Sequence, residues 1–182
     1  MQKEQKTIIK SCVKGNEKAQ MQLYNLYCDA MFNIVCRYFK NTEDAKDIMQ
    51  DGFLKAFSNI KKYKSDYSFG SWLKRIIINQ CIDTLRKQKM EFTIIDYEKI
   101  EIIDDENWSF NNSISKETII TAIEQLNEKH QIVVKLYLIE GYDHAEISQI
   151  LNIPLKTSRT HLRRGRLRLK ELLKTTYNEA RY

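Results

Sequence analysis

Seven basic side chains, Lys156, Arg159, Arg163, Arg164, Arg166, Arg168 and Lys170, fall within residues 153–170 without a single carboxylate among them. Such a set holds polyanions; it does not make or break bonds. Five of the seven are Arg, whose planar fork gives a base edge or a phosphate two parallel hydrogen bonds where Lys offers only charge. A second constellation lies in KKYKSDYSFGSW, where Tyr63, Tyr67, Phe69 and Trp72 alternate with Lys61, Lys62 and Lys64, and Lys74 and Arg75 follow. Aromatic faces interleaved with positive charge suit single-stranded nucleic acid, because rings stack on bases while ammonium groups meet phosphates. Phe69 and Trp72 also suit a core. A third constellation is acidic. Asp44, Asp47, Gln50 and Asp51 share one arc of a helical wheel, and Leu54 sits among them. An apolar residue inside an acidic face fits a basic protein partner with a hydrophobic hot spot.

Other chemistries lack their residues. Cys12, Cys28, Cys36 and Cys81 form no CxxC pair, and His130, His144 and His161 are scattered along the chain. No zinc spacing results, and buried structural thiols are expected. Carboxylates at 44, 47 and 51 come without an ExxH motif, which argues against a di-iron bundle. No convergent set of nucleophile and base appears. No catalytic residue, metal, cofactor or small-molecule substrate is therefore expected.

The elements that must carry these faces read as helices. The 182 residues include only five Gly and one Pro, too few for a sandwich or barrel with many turns. No apolar run approaches the roughly 18–20 residues that span a bilayer, and the N-terminus lacks a signal-peptide core, so a cytoplasmic protein is expected. Charge is laid out unevenly along a chain of net +6: residues 1–90 and 118–182 are basic, whereas 91–117 are acidic. In the first lobe, Leu23, Leu26, Tyr27, Ala30, Ile34 and Val35 mark the apolar stripe of one helix. A second helix begins with Thr42 as N-cap and acids in its first turn. Its buried arc is Ala45, Ile48, Met49, Gly52, Phe53 and Ala56. A third helix starts near Trp72, and the three form a bundle. Residues 89–115 read as an acidic linker with Ile94, Ile95, Ile102 and Ile103 as adhesive points; TII and EII within it are candidate short strands, marginal without partners.

The second lobe starts near Ser115 and breaks at Asn127, Gly141 and Asn152-Ile153-Pro154. Asp143 with Glu146 makes a capping pair, Ile147 and Leu151 face inward, and Pro154 opens a new helix. Helix, short turn, helix is the helix-turn-helix layout. On its second helix Ser158, Leu162, Gly165 and Leu169 face inward. Arg159, Thr160, Arg163 and Arg164 lie outward near the start, where such helices enter the major groove.

With these residues in view, AIEQLNEKHQIVVKLYLIEGYDHAEISQILNIPLKTSRTHLRRGRLRLKEL resembles the C-terminal domain of bacterial sigma factors of the extracytoplasmic-function group. DAKDIMQDGFLKAFSNIKKYKSDYSFGSWLKRIIINQCIDTLRK looks like their N-terminal promoter-melting domain. The resemblance implies an all-α, two-domain alternative sigma factor without chemistry of its own. Residues 1–88 would bind core RNA polymerase and recognise and melt the minus-ten element, 89–115 would link, and 116–182 would read the minus-thirty-five element. Asp47, Gln50, Asp51 and Leu54 would meet the polymerase β′ coiled coil. Tyr63, Lys64, Ser65, Asp66 and Phe69, with Asn79, Asp83 and Arg86 on the following helix, would contact minus-ten DNA around a flipped base. Lys156, Arg159, Thr160, Arg163 and Arg164 would contact the minus-thirty-five DNA. Promoter DNA and an anti-sigma factor are the other implied partners. A homodimeric helix-turn-helix regulator and an RNA-modifying or nucleolytic enzyme are the rival readings. Asp51 and Gly52 depart mildly from the usual clamp, and His161 and Arg163 from commoner choices. Ser158 stands where the family usually has buried Val, and Gly165 where it usually has Ala, which predicts a looser or reoriented recognition helix.

Overall fold

The computed structural model describes residues 2–89 and 114–179, and within them every regular element is a helix. They fall into two compact units. The strand candidates TII and EII, and most of the acidic linker with its four Ile, lie outside the described residues.

The first unit holds α1 (Gln2–Val13), α2 (Glu17–Val35), α3 (Thr42–Ser58), a 3-10 turn (Ile60–Lys62) and α4 (Phe69–Lys89). The sequence reading had no α1. Gly15, at φ +82, ends it where other residues would be strained, and the Asn16 side chain then caps α2 by accepting from Ala19 N at 3.0 Å. α3 starts one residue earlier than expected. Asn41, not Thr42, is the N-cap, because its extended backbone aims its side-chain oxygen at Glu43 N (2.9 Å) and Asp44 N (3.4 Å). Thr42 is the first helical residue.

The buried arc of α3 is as expected, with Ala45, Ile48, Met49, Gly52, Phe53 and Ala56 all inside. They pack against Leu73, Ile77, Ile78, Cys81 and Ile82 of α4 and against α2. On α2, Leu23, Ile34 and Val35 are buried, but Leu26 is 60% exposed and Ala30 also faces out. α1, α3 and α4 surround α2 unevenly, and Ala19 and Met31 complete its inner face instead. Of the four thiols, all free, Cys12 and Cys81 are buried, Cys28 is half-buried and Cys36 exposed, so only two behave as core. Burial also pushes the Cys12 thiol up from its ordinary pKa.

The second unit holds α5 (Lys116–Glu124), α6 (Glu128–Val134) running into a π-helical turn (Lys135–Ile139), α7 (His144–Leu151) and α8 (Leu155–Glu179). Ser115 and Asn127 cap α5 and α6, and Asp143 with Glu146 forms the full capping box of α7. Gly141 takes the left-handed conformation at φ +78, as its place after a helical run predicts. Between α7 and α8 the turn is pinned from both ends. Asn152 is left-handed at φ 49, Ile153 N donates to Ser148 O at 3.1 Å, and Ser148 Oγ donates to Ile153 O at 2.6 Å. Pro154 stands one residue before α8, its carbonyl accepting from Ser158 N at 3.1 Å. Ile147 is fully buried, and Ile150 is the second inward residue of α7, with Leu151 half-buried.

α8 packs on α5, α6 and α7 through Ser158, Leu162, Gly165, Leu169 and Leu173. The two departures from the family pattern have tight local causes, which corrects the expectation of a loose helix. Ser158, 0% exposed, shares a 2.9 Å hydrogen bond with His144 Nδ1, so the buried hydroxyl is satisfied where Val would offer nothing to the imidazole. A Cβ on Gly165 would lie 2.6 Å from Val134 Cγ2 and 3.4 Å from His130 Cβ. Glycine there is close approach, not slack. Gly165→Ala is expected to destabilise this unit by about 1–2 kcal/mol. Overpacking against stiff Val134 costs about 1–3 kcal/mol, and helix propensity returns at most about 1. Urea unfolding checks this, and an unchanged or raised midpoint means that α6 and α8 part freely.

Candidate nucleic-acid interface

On α3 the arc opposite the core carries Asp44, Asp47, Gln50 and Asp51, all exposed, and Leu54 at 67% exposure in their midst. Every turn of the helix is anchored by a buried neighbour, so this face is rigidly presented. A Cβ on Gly52 would meet Ile77 Cδ1 at 2.4 Å, which is why α3 and α4 lie so close. Their closeness builds a link that the sequence did not suggest. Lys55 Nζ donates to Gln80 Oε1 at 2.7 Å and reaches Asp83 Oδ2 at 3.5 Å, and Gln80 Nε2 donates to Asp51 Oδ2 at 3.4 Å. These are exposed pairs, each worth little in stability.

The loop before α4 is built on aromatic packing. Phe69 is 2% exposed and lies 5.4 Å from both Tyr63 and Trp72 and 5.5 Å from Tyr27, centroid to centroid. It backs the loop and is not an open stacking surface, a correction to its expected role. Trp72 is half-buried, and Tyr67 stands 76% exposed. Tyr63 is half-buried, its ring edge-on to Phe69 and its hydroxyl donating to Tyr67 O at 2.8 Å. Burial, and secondarily the Tyr27 phenol, push the Tyr63 phenol above its ordinary pKa, so it remains a neutral donor. Lys64, Ser65 and Asp66 are exposed on the loop, and Asn79 is half-buried on α4. Asp83 and Arg86 share α4 but face each other at 3.9 Å, and Asp83 also meets Lys55. Asp83 thus orients cations; alone it would repel a phosphate.

On α8, Lys156 and Arg159 are exposed, and Thr160, Arg163 and Arg164 are half-buried along the flank away from Ser158, Leu162 and Gly165. The Thr160 hydroxyl donates back to Lys156 O at 2.9 Å, which fixes its rotamer. The three His, far apart in sequence, gather in this unit. His144 holds Ser158 and packs 5.0 Å from Tyr137, while His130 and His161 lie 5.4 Å apart. Among the described residues no group of His, Cys, Asp or Glu is arranged to hold a metal.

Residues 23–91 match the family model described as Sigma-70 region 2, and residues 116–169 that described as Sigma-70, region 4. Among curated proteins, the chain is similar to the ECF RNA polymerase sigma factor SigW of Bacillus subtilis (strain 168), at 30% identity over 181 residues, covering 91% of this chain and 95% of that one. The chain belongs to the extracytoplasmic-function sigma factors. Another relative, the ECF RNA polymerase sigma-E factor of Escherichia coli (strain K12), is 26% identical over 170 residues, 87% of this chain and 88% of its own. Among solved structures, the sigma factor RpoE in complex with the anti-sigma factor NepR from Bartonella quintana shares the fold. Its TM-score is 0.56 at 21% identity, with 85% of this chain and 96% of that chain covered.

Family membership makes this protein an alternative sigma factor that directs transcription initiation, and the dimeric regulator falls away as a reading. Sigma factors are initiation factors rather than enzymes. The region 2 match begins at Leu23, so α1 lies ahead of it. Sequence reasoning missed α1, Lys55 and Gln80. For Lys55 and Gln80 no signal existed, since their meeting depends on how α3 lies on α4. For α1, the apolar pair Ile8 and Ile9 with Cys12 at helical spacing was the available sign.

Proposed function

We propose that residues 1–88 of this sigma factor bind core RNA polymerase and open the minus-ten element, that 116–182 read the minus-thirty-five element, and that 89–115 connect them. The α3 face of Asp47, Gln50, Asp51 and Leu54 docks on the β′ coiled coil of the polymerase. Tyr63, Lys64, Ser65 and Asp66, backed by Phe69, receive a base flipped from the non-template strand. Asn79 and Arg86 continue the DNA face of α4, with Asp83 orienting the cations beside it. Lys156, Arg159, Thr160, Arg163 and Arg164 meet the major groove. An anti-sigma factor holds the protein inactive, and it works in the cytoplasm beside polymerase; no helix among the described residues is long and apolar enough to cross a membrane.

The observation that carries this reading is Leu54, exposed within an acidic arc on a rigid helix, in a different unit from the helix-turn-helix. DNA repels such a face, whereas a basic protein surface with an apolar pocket fits it. The direct test mixes the full chain with core polymerase and a promoter library and sequences the transcripts. A shared two-part promoter motif among the products is expected; transcripts no different from those of core polymerase alone defeat the proposal.

Base readout by α8 has its own test. Alanine at Arg159, Arg163 or Arg164 is expected to cost about 1–3 kcal/mol if the guanidinium reads a base, with preference relaxed at one base pair. Loss of a phosphate contact weakens all sequences alike. Binding selections on each variant separate the two, and an unchanged preference at every position leaves α8 with an electrostatic role only.

A further inference from the structure

We propose that α1 forms the second wall of the single-strand site. In this reading, the trough between α1 and the Tyr63–Phe69 loop binds the backbone of the strand as it runs on from the flipped base. The inference rests on the reading of that loop as a single-strand site. The trough is a cavity of about 1020 Å³, lined on one side by Gln5, Lys6, Lys10 and Lys14 and on the other by Lys61, Tyr63 and Tyr67. That volume reaches the upper end of the range of about 300–1,000 Å³ usual for small-molecule pockets. Its charges are spread along its length and do not converge on one point, which suits a polymer.

Lys6, Lys10 and Lys14 recur every fourth residue, as one stripe on α1 continuing into the turn after it. Successive members are about 6 Å apart along the axis, a spacing comparable to that of phosphates in an extended single strand. Like charges at this spacing repel and weaken a helix unless an anion lies against them. The carboxylate lining the trough is Asp66, against four ammonium groups. Ile9 and Ile60, both buried, form the floor of the trough, and the exposed Val13 offers apolar surface to a sugar or base.

α1 is also tied to the loop. Gln5 Nε2 donates to the Tyr27 hydroxyl, Tyr27 packs on Phe69, and Phe69 holds Tyr63. A Cβ on Gly70 would lie 3.0 Å from Tyr27 Cε1, so bare backbone there lets the Tyr27 ring seat beside Phe69. The lysine stripe and the base-holding ring are thus parts of one packed unit.

The experiment uses polymerase holoenzyme reconstituted with the full chain. Fork-junction templates carry a non-template tail that either ends at the flipped base or continues as a run of thymidines. For the parent, the longer tail is expected to raise affinity about tenfold or more at low salt. The triple variant Lys6→Gln, Lys10→Gln, Lys14→Gln keeps short-tail affinity and loses that increment. The slope of log affinity against log salt falls by about 2, at about 0.7 per single-strand phosphate contact. The corresponding Lys→Arg triple variant retains the increment. An increment undiminished in the Gln variant overturns the proposal, as does its loss in both variants, since charge is then not the cause. Tyr63→Ala keeps the underlying reading separate. It lowers short-tail affinity if the loop holds the flipped base, whereas an unchanged short-tail affinity removes the loop reading and leaves a Gln-sensitive increment standing as a strand contact of α1.

Discussion

Leu54→Lys abolishes co-purification with core RNA polymerase while the variant keeps its helical fold and its urea midpoint. The fold survives because Leu54 is 67% exposed and lies off the arc that α3 buries against α2 and α4. Surface substitutions of this kind shift stability by within about 0.5 kcal/mol. Binding does not survive, for two additive reasons. An apolar anchor at the centre of an interface is worth about 2 kcal/mol or more on truncation. The new ammonium then faces the basic surface that Asp47 and Asp51 are there to meet, and like-charge juxtaposition costs several kcal/mol more. Together these weaken the complex by about a thousandfold or more, at tenfold per 1.4 kcal/mol. Asp47→Ala alone leaves the apolar anchor and is expected to act mainly on the association rate, with a marked salt dependence. If Leu54→Lys co-purifies as the parent does, the polymerase face is not on this arc of α3.

The exposed arc of α3 was legible in the sequence because the helix is amphipathic at one period throughout. Once Ala45, Ile48, Met49, Phe53 and Ala56 define the buried arc, the exposure of Asp47, Gln50, Asp51 and Leu54 follows from helical geometry. The same reasoning went astray on α2, where apolar residues cover more than one arc and only the neighbours decide which are inside. Leu26 and Ala30 lost to Ala19 and Met31 for that reason. Caps and turns with strong chemistry, such as Asp143 with Glu146 and the Asn152 turn, were readable because their partners are local. Gly165, Ser158 and Gln80 were not, since their reasons are Val134, His144 and Lys55, each on another helix. α1 was missed because half of its residues are Lys, Glu or Gln, which leaves its apolar side only Ile8, Ile9, Cys12 and Val13 to show it, and Ile9 and Cys12 are the two that the bundle buries.

Tyr63→Ala and Asn79→Ala each reduce transcription from duplex promoters about tenfold or more, the scale set by about 1–3 kcal/mol per stacked base. Both residues belong to the unit that carries α3 but lie on a different face, so polymerase binding stays at parental level. Truncating Tyr63 removes a ring held edge-on to Phe69 and a hydroxyl bonded to Tyr67 O, so a structural effect must be separated from a lost contact. Tyr63→Phe does this: it keeps the ring, loses only the 2.8 Å hydrogen bond, and is expected to transcribe close to the parent. A template with a pre-melted bubble provides the second separation. Energy that the parent draws from capturing a flipped base is needed to open the duplex, and a bubble supplies the opening in advance. Initiation from it is therefore restored in part for Tyr63→Ala and Asn79→Ala, although the captured base is still held less well. Equal loss on duplex and bubble places the defect after opening. Parental activity on both templates makes Tyr63 a packing residue of the aromatic cluster, and the flipped-base pocket then lies elsewhere.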